Sequence, residues 1–138
     1  MVPEINWIAV VVATISTMVV GSIWYTPKVF GNYWMKVAKV KPGEAKNAVL
    51  PILVTLVVSF ISAWVLAGAT YLSFDFYGGS YLSNALLTAV ILWGGFTAAR
   101  FITHDAFEGR PVGLTVLNCV HELVTFMVMG MIIGLFAI

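Results

Sequence analysis

The sequence is short of charge, of cysteine and of any long polar stretch. Only 9% of its 138 residues are charged, with seven Lys or Arg against six Asp or Glu. A soluble domain carries roughly 25%. No basic patch of the kind nucleic acid demands is present, so that class of partner is set aside. One cysteine, Cys119, excludes an internal disulfide and any CxxC metal or redox motif. Neither HExxH nor paired ExxH helices occur, so no metal-hydrolase or di-iron signature is present. The chain shows no internal repeat of the kind that builds inverted transporter folds. The segment before the first apolar run holds Glu4 and no Lys or Arg, and no small-x-small cleavage site follows. That run is expected to remain as a helix rather than to be removed as a signal peptide.

What fills the sequence is apolar. Hydrophobic residues make up 61% of it and the mean hydropathy is +1.00, beyond the range of soluble domains. A hydrocarbon core of about 30 Å needs about 20 apolar residues per crossing. Four runs qualify: Ile5–Tyr25, Ala48–Leu72, Tyr81–Phe101 and Leu114–Ile138. Open strand edges would strand backbone groups in hydrocarbon. The sequence therefore predicts an all-α integral membrane protein, one domain over residues 1–138, with four transmembrane helices in a bundle.

The basic residues orient it. Lys28, Lys36, Lys39, Lys41 and Lys46 lie between the first two runs, and Arg100 and Arg110 lie around the end of the third. None lies in the N-terminal tail, the Ser73–Ser80 turn or the C-terminus. The positive-inside rule then places both termini outside and the connectors 26–47 and 101–113 in the cytoplasm. Trp7, Tyr71, Tyr77 and Tyr81 fall at the outer boundary, Trp24, Tyr25, Tyr33 and Trp34 at the inner one. In the first connector Thr26-Pro27 reads as a helix cap followed by proline at the first helical position. Lys28, Asn32, Lys36 and Lys39 then line one face and Phe30, Trp34 and Val37 another, until Lys41-Pro42-Gly43 ends the helix. A short amphipathic helix over about 27–40, lying in the inner headgroup layer, fits this pattern. Its role is anchoring, or else recognition of an anionic lipid at Lys28, Lys36 and Lys39.

Small residues recur four apart in every span: Ala9, Ala13, Thr17 and Gly21; Ser59, Ala63 and Ala67; Ala85 and Ala89, then Gly94 and Ala98; Gly130 and Gly134. Such faces let helix backbones approach closely in lipid. They predict a tight bundle and, being numerous, a homo-oligomer.

Asn6-Trp7, Trp24-Tyr25-Thr26-Pro27, Phe30-Gly31 and Trp34-Met35-Lys36, with Asn118, His121 and Met129-Gly130 in the last run, carry a family likeness. Over almost its full length the chain resembles the small bacterial membrane proteins catalogued as domain of unknown function family 1761. The resemblance implies a four-helix protein of the bacterial plasma membrane. It supplies no activity, cofactor or catalytic residue.

Residues 104–122, HDAFEGRPVGLTVLNCVHE, concentrate the chemistry: both histidines, the cysteine, three of the six acids and one of two arginines. Thr115, Asn118, Glu122 and Thr125 recur at helical spacing with His121 beside them, so they share a face. Ionisable residues within a span usually face the bundle interior or a water-filled cavity. If the last helix ends at the outer headgroups, counting back about 20 residues puts the inner boundary near Cys119 and His121 about one turn above it. The expected pocket is a mouth at the inner surface, formed by Asn118, His121, Glu122, Arg100, His104, Asp105, Glu108, Arg110, Trp24 and Tyr25.

Four chemistries compete for it. Metal binding would need three or four of His104, Asp105, Glu108, His121 and Glu122 to converge. Nucleophilic catalysis would need Cys119 beside a base, but Cys119 and His121 diverge at i,i+2. Proton or solute passage through His121 and Glu122 would need a polar path to the outer face. Asn6, Thr14, Ser16, Thr17, Thr55, Ser59, Ser62, Asn84 and Thr88 are the residues available for it. The plainest alternative is structural, with Arg100 and Arg110 pairing with Asp105, Glu108 and Glu122. As function, the residues favour binding or passing a small solute, proton or lipid headgroup at the mouth. A non-catalytic assembly subunit of a membrane complex comes second and a membrane-embedded enzyme third. Neither a cofactor nor a bound metal is expected.

Overall fold

A computed structural model describes residues 2–41, 43 and 48–137. Lys46, Pro42 and Ile138, which entered the reading of the first connector and the last span, lie outside the described residues. Within them every regular element is helical, with no strand. It forms α1 (Trp7–Trp24), α2 (Gly31–Ala38), α3 (Val49–Tyr77), α4 (Tyr81–Leu92), a π-helical segment (Trp93–Ala98), α5 (Ala99–Phe107) and α6 (Val112–Phe136). Since α4, the π segment and α5 run on as one helix, Tyr81–Phe107, four helices are long and apolar enough to cross a membrane.

In the bundle α1 packs against α3 and α6, and α4 against the same two helices. Direction follows from the ends. The Asn6 side chain caps α1 by accepting from the Ala9 N–H at 3.1 Å, and its amide donates to the Ala137 carbonyl at 3.2 Å. The start of α1 and the end of α6 therefore meet, and the two helices are antiparallel. At the far end of α1 the Tyr25 hydroxyl donates to Asn118 Oδ1 at 3.3 Å. Helical rise makes α1, and the stretch of α6 from 118 to 137, each about 27–29 Å long, the thickness of a hydrocarbon core. The first turns of α6, with α2 and α5, lie beyond that level at the charged end of the molecule.

The core occupies the half nearer the termini. Val10, Leu66, Met129 and Thr70 are fully buried, with Ala9, Ala13, Ala63, Ala67 and Ala89 around them. Most of the small-residue faces are used inside the one chain, although nothing lies within 4 Å of a methyl at Gly94 and only the His121 ring stands near Gly21. A methyl added at Gly134 would lie 2.7 Å from the Leu82 Cα, and one at Gly130 would lie 3.1 Å from the Ala85 carbonyl oxygen. Thr17 and Ser59 join α1 to α3 through a buried hydroxyl pair at 2.9 Å. Facing outward are Val11, Ile15, Val19, Val57, Ile61, Leu87, Ile91 and Leu135. A contiguous apolar exterior on this scale is costly in water and costs nothing in lipid.

Several boundaries depart from the sequence reading. The third span does not stop at Phe101 but continues to Phe107, so His104 and Asp105 are helical and the connector shrinks to 108–111. Gly109, at φ 64°, makes that turn, and the Arg110 N–H closes it on the Asp105 carbonyl at 2.9 Å. Pro111 immediately precedes α6, which starts at Val112, two residues before the apolar run expected from Leu114. Helix α3 runs past Leu72 to Tyr77, leaving a turn with Gly78 and Gly79 at positive φ. Thr26 does not cap the connector helix. Its hydroxyl donates back to the Ile23 carbonyl at 2.9 Å, a turn follows, and α2 starts only at Gly31. A β-carbon on Gly31 would collide with the Tyr25 carbonyl and the Thr26 backbone, so glycine is what permits this sharp exit from α1. The helix stops at Lys39, in the left-handed conformation at φ 57°. Lys28, Lys36 and Lys39 are exposed and Trp34 and Val37 are partly covered, but Phe30, expected on the apolar face, lies before the helix and is exposed.

Candidate functional site

At the charged end the bundle opens. The first half of α3 stands off from its neighbours, with Leu50, Leu53, Val54, Val57 and Val58 all more than half exposed. Between it, α1 and α6 lies a cleft of about 820 Å³, a size typical of small-molecule sites. Helix α6 supplies Asn118, His121, Glu122 and Thr125, α1 supplies Thr17, Gly21, Ser22 and Tyr25, and α3 supplies Thr55, Ser59 and Ser62. The shared face read from the spacing of Asn118, His121 and Glu122 thus becomes one wall of the cleft.

His121 is its centre. The imidazole is packed against the Tyr25 ring at 5.1 Å and the Trp24 ring at 5.7 Å between centroids. Its Nδ1 lies 3.6 Å from Glu122 Oε1, while its Nε2 is buried without a hydrogen-bond partner. Gly21 faces that nitrogen; a methyl there would stand 3.8 Å away. Trp24 supports the site without lining it. Its ring lies against Phe30 at 4.5 Å, and its Nε1 is also buried and unpartnered.

The other half of the expected mouth is elsewhere. Arg100, His104, Asp105, Glu108 and Arg110 line a separate groove of about 410 Å³ along α5 and the 108–111 turn. Phe101 borders both spaces. The ten residues do not form one pocket, because continuing the helix through 101–107 turns these side chains away from α1 and α3. In the groove Arg110 Nε donates to Glu108 at 2.6 Å and stands 3.8 Å from Asp105. That hydrogen bond, together with the Glu108 charge, raises the Arg110 pKa above its ordinary value. The buried Asp105 carboxylate also accepts from the Thr115 hydroxyl at 2.6 Å. Of the pairing expected for both arginines, the Arg110 half is present. Arg100 makes no ion pair among the described residues, and Glu122 lies beside His121 instead.

The geometry sorts the remaining chemistries. Among the described residues no three His, Cys, Asp or Glu side chains come together. Cys119 is buried, and its backbone carbonyl accepts from the Trp93 indole at 2.8 Å. Of the hydroxyls and amides available for a polar path, Thr17, Thr55, Ser59 and Ser62 line the cleft. Asn84 instead clamps the 78–80 turn, donating to the Gly78 and Ser80 carbonyls at 2.9 Å each and accepting from Ser73. Thr14 donates to the carbonyl one turn back. Beyond Thr17 and Ser59 the interior is the apolar core of Val10, Ala13, Leu66 and Met129. The lining of the cleft reaches no further along α1 than Thr17, about half-way.

Sequence reasoning missed Gly21 as a site residue, since four-residue spacing marked it for packing. It also missed the π-helical segment at Trp93–Ala98. The Gly94-Gly95 pair there was the available signal, because glycine weakens regular helix.

Fold and site together define a multi-pass, four-helix membrane protein with a polar cleft at its charged end. The chain belongs to the family described as protein of unknown function (DUF1761), whose model matches residues 8–134. Neither a curated protein nor a solved structure matches it.

Proposed function

We propose that this protein holds a small amphiphile or solute in the cleft between α1, α3 and α6. The observation that carries the reading is a polar wall, Asn118, His121 and Glu122, facing a space of about 820 Å³ inside an otherwise apolar bundle. A lining that stops at Thr17, with the apolar core beyond it, supports binding over passage, because transport needs a route that continues to the other surface. Native mass spectrometry of the purified protein tests the proposal. It should retain one small molecule per chain, and Thr55→Trp, which fills the cleft from its exposed rim, should abolish retention. Equal retention by the variant, or none by the native chain, would sink the reading.

The distribution of basic residues supports placing the protein in the bacterial inner membrane with both termini outside and the cleft opening near the cytoplasmic surface. Single cysteines at Lys39 and Tyr77 should then label from opposite sides, Lys39 from the cytoplasm. The exposed Lys28, Lys36 and Lys39 would meet anionic headgroups there. A second reading, an assembly subunit, is favoured by the sparse covering of α3, whose most apolar window is only 17% buried against 39% in α6. A partner helix, or a second copy of this chain, would cover that face. Cross-linking from Val57 in native membranes tests it, and a chain that captures nothing from that position would count against it.

A further inference from the structure

The kind of head group that fits the cleft can be read from its hydrogen-bonding atoms; this rests on the binding role proposed above. Among the described lining residues Glu122 is the one carboxylate, and no Lys or Arg reaches the space. Hydroxyls commonly offer one proton and two lone pairs. Here Ser22 donates its proton to the Met18 carbonyl at 2.6 Å, Thr55 to Pro51 at 2.7 Å and Thr125 to His121 at 2.9 Å. Each hydroxyl bonds back to its own helix, so what remains for a ligand is lone pairs. Against these stand fewer donors, the Asn118 amide and the Ser59 and Ser62 hydroxyls, while Thr17 bonds to Thr14 and Ser59. A site with surplus acceptors and one negative charge is complementary to a cation rich in N–H bonds.

The rest of the wall is apolar and open to the side. Ile52, Val54 and Val58 line the cleft and are each about half exposed, and Met129 closes its deep end. A chain lying along α3 would therefore reach lipid without crossing the headgroup layer. We infer that the cleft binds an amphiphile with a primary ammonium head, the head at Glu122 and the apolar tail along Ile52, Val54 and Val58.

Calorimetry of the intact protein in maltoside micelles, with blank micelles subtracted, compares four probes of one chain length. Octylammonium should bind once per chain. Octyltrimethylammonium, which has charge but no N–H, should bind at least ten-fold more weakly, a difference of about 1.4 kcal/mol. Octanol should be weaker again, and octyl sulfate should show no saturable binding. Glu122→Gln should weaken octylammonium at least ten-fold and leave octanol unchanged. The ranking on the native chain stands even if the variant folds poorly. Octyl sulfate matching octylammonium, equal binding of the two cations, or an indifferent Glu122→Gln would overturn the ammonium assignment. The cleft would still stand if Thr55→Trp removed whatever binding was seen. Saturable binding by none of the four would overturn both. Protein taken from phosphatidylethanolamine and from phosphatidylcholine vesicles separates the sources. Weaker octylammonium binding after the first alone identifies a lipid head group as the natural occupant, and equal binding identifies a free amine.

Discussion

The two ends of this bundle are built differently. At the end bearing the termini, helices meet through glycine and alanine, and polar side chains bond within the fold. Asn6 joins α1 to α6, and Asn84 with Ser73 holds the 78–80 turn. Thr70 is the exception, buried with its hydroxyl unpartnered. At the charged end α3 stands away, polar side chains face a cleft, and the buried Trp24 Nε1 and His121 Nε2 lack partners. In lipid, helix association rests on packing and interhelical hydrogen bonds rather than on apolar burial. The first end has both. The second gives up packing for an open polar surface, the usual arrangement where a fold holds a site open for something else.

That contrast can be broken by substitution. The largest effect is expected for Gly134→Val, whose new β-carbon falls on the Leu82 backbone. Overpacking of this kind costs about 2–3 kcal/mol and should lower the melting temperature in detergent by on the order of 10 °C. Gly21→Ala, at the open end, meets nothing closer than His121 Nε2 and should leave melting within about 2 °C. Next comes Asn84→Ala, which removes three hydrogen bonds and leaves the Ser73 hydroxyl without its acceptor. It should cost about 1–2 kcal/mol, while Asn118→Ala should cost about 0.5 kcal/mol. Thermal melts of the pair measure the difference; equal losses would erase the distinction between the ends. Smallest is Tyr25→Phe, which removes one long interhelical hydrogen bond. Its cost should be about 0.6 kcal/mol or less, and a loss above 2 kcal/mol would make the site a structural keystone instead.

Much of this was legible in the sequence, for physical reasons. Span lengths follow from bilayer thickness, and the face shared by Asn118, His121 and Glu122 follows from helical period. The depth of that face followed from counting residues at a fixed rise, and the Tyr25–Asn118 contact puts it level with the end of α1. What spacing within one segment does not carry is direction between segments. Arg100 and His104 are near His121 in sequence depth, yet they face a different groove because the helix persists to Phe107. Polar residues at 104–108 suit a final helical turn as well as a loop, so composition gave no stop. Thr26 failed as a cap for a related reason: its hydroxyl had a nearer acceptor in the helix it follows. The backbone approach that requires Gly31 is a local fold-back onto Tyr25 and Thr26, and the π-helical segment at Trp93–Ala98 has only its glycine pair as a signal; periodicity encodes neither.

The central claim is that the charged end opens into a polar cleft that water can enter, although the side of that cleft along α3 borders lipid. With Cys119 replaced by alanine, single cysteines at Ser62, inside the cleft, and at Val57, on the outer face of the same helix, can be labelled in membranes. A water-soluble methanethiosulfonate should modify Ser62→Cys at least ten times faster than Val57→Cys, although both lie within the apolar span of α3. Equal, slow reaction at the two positions would contradict the account.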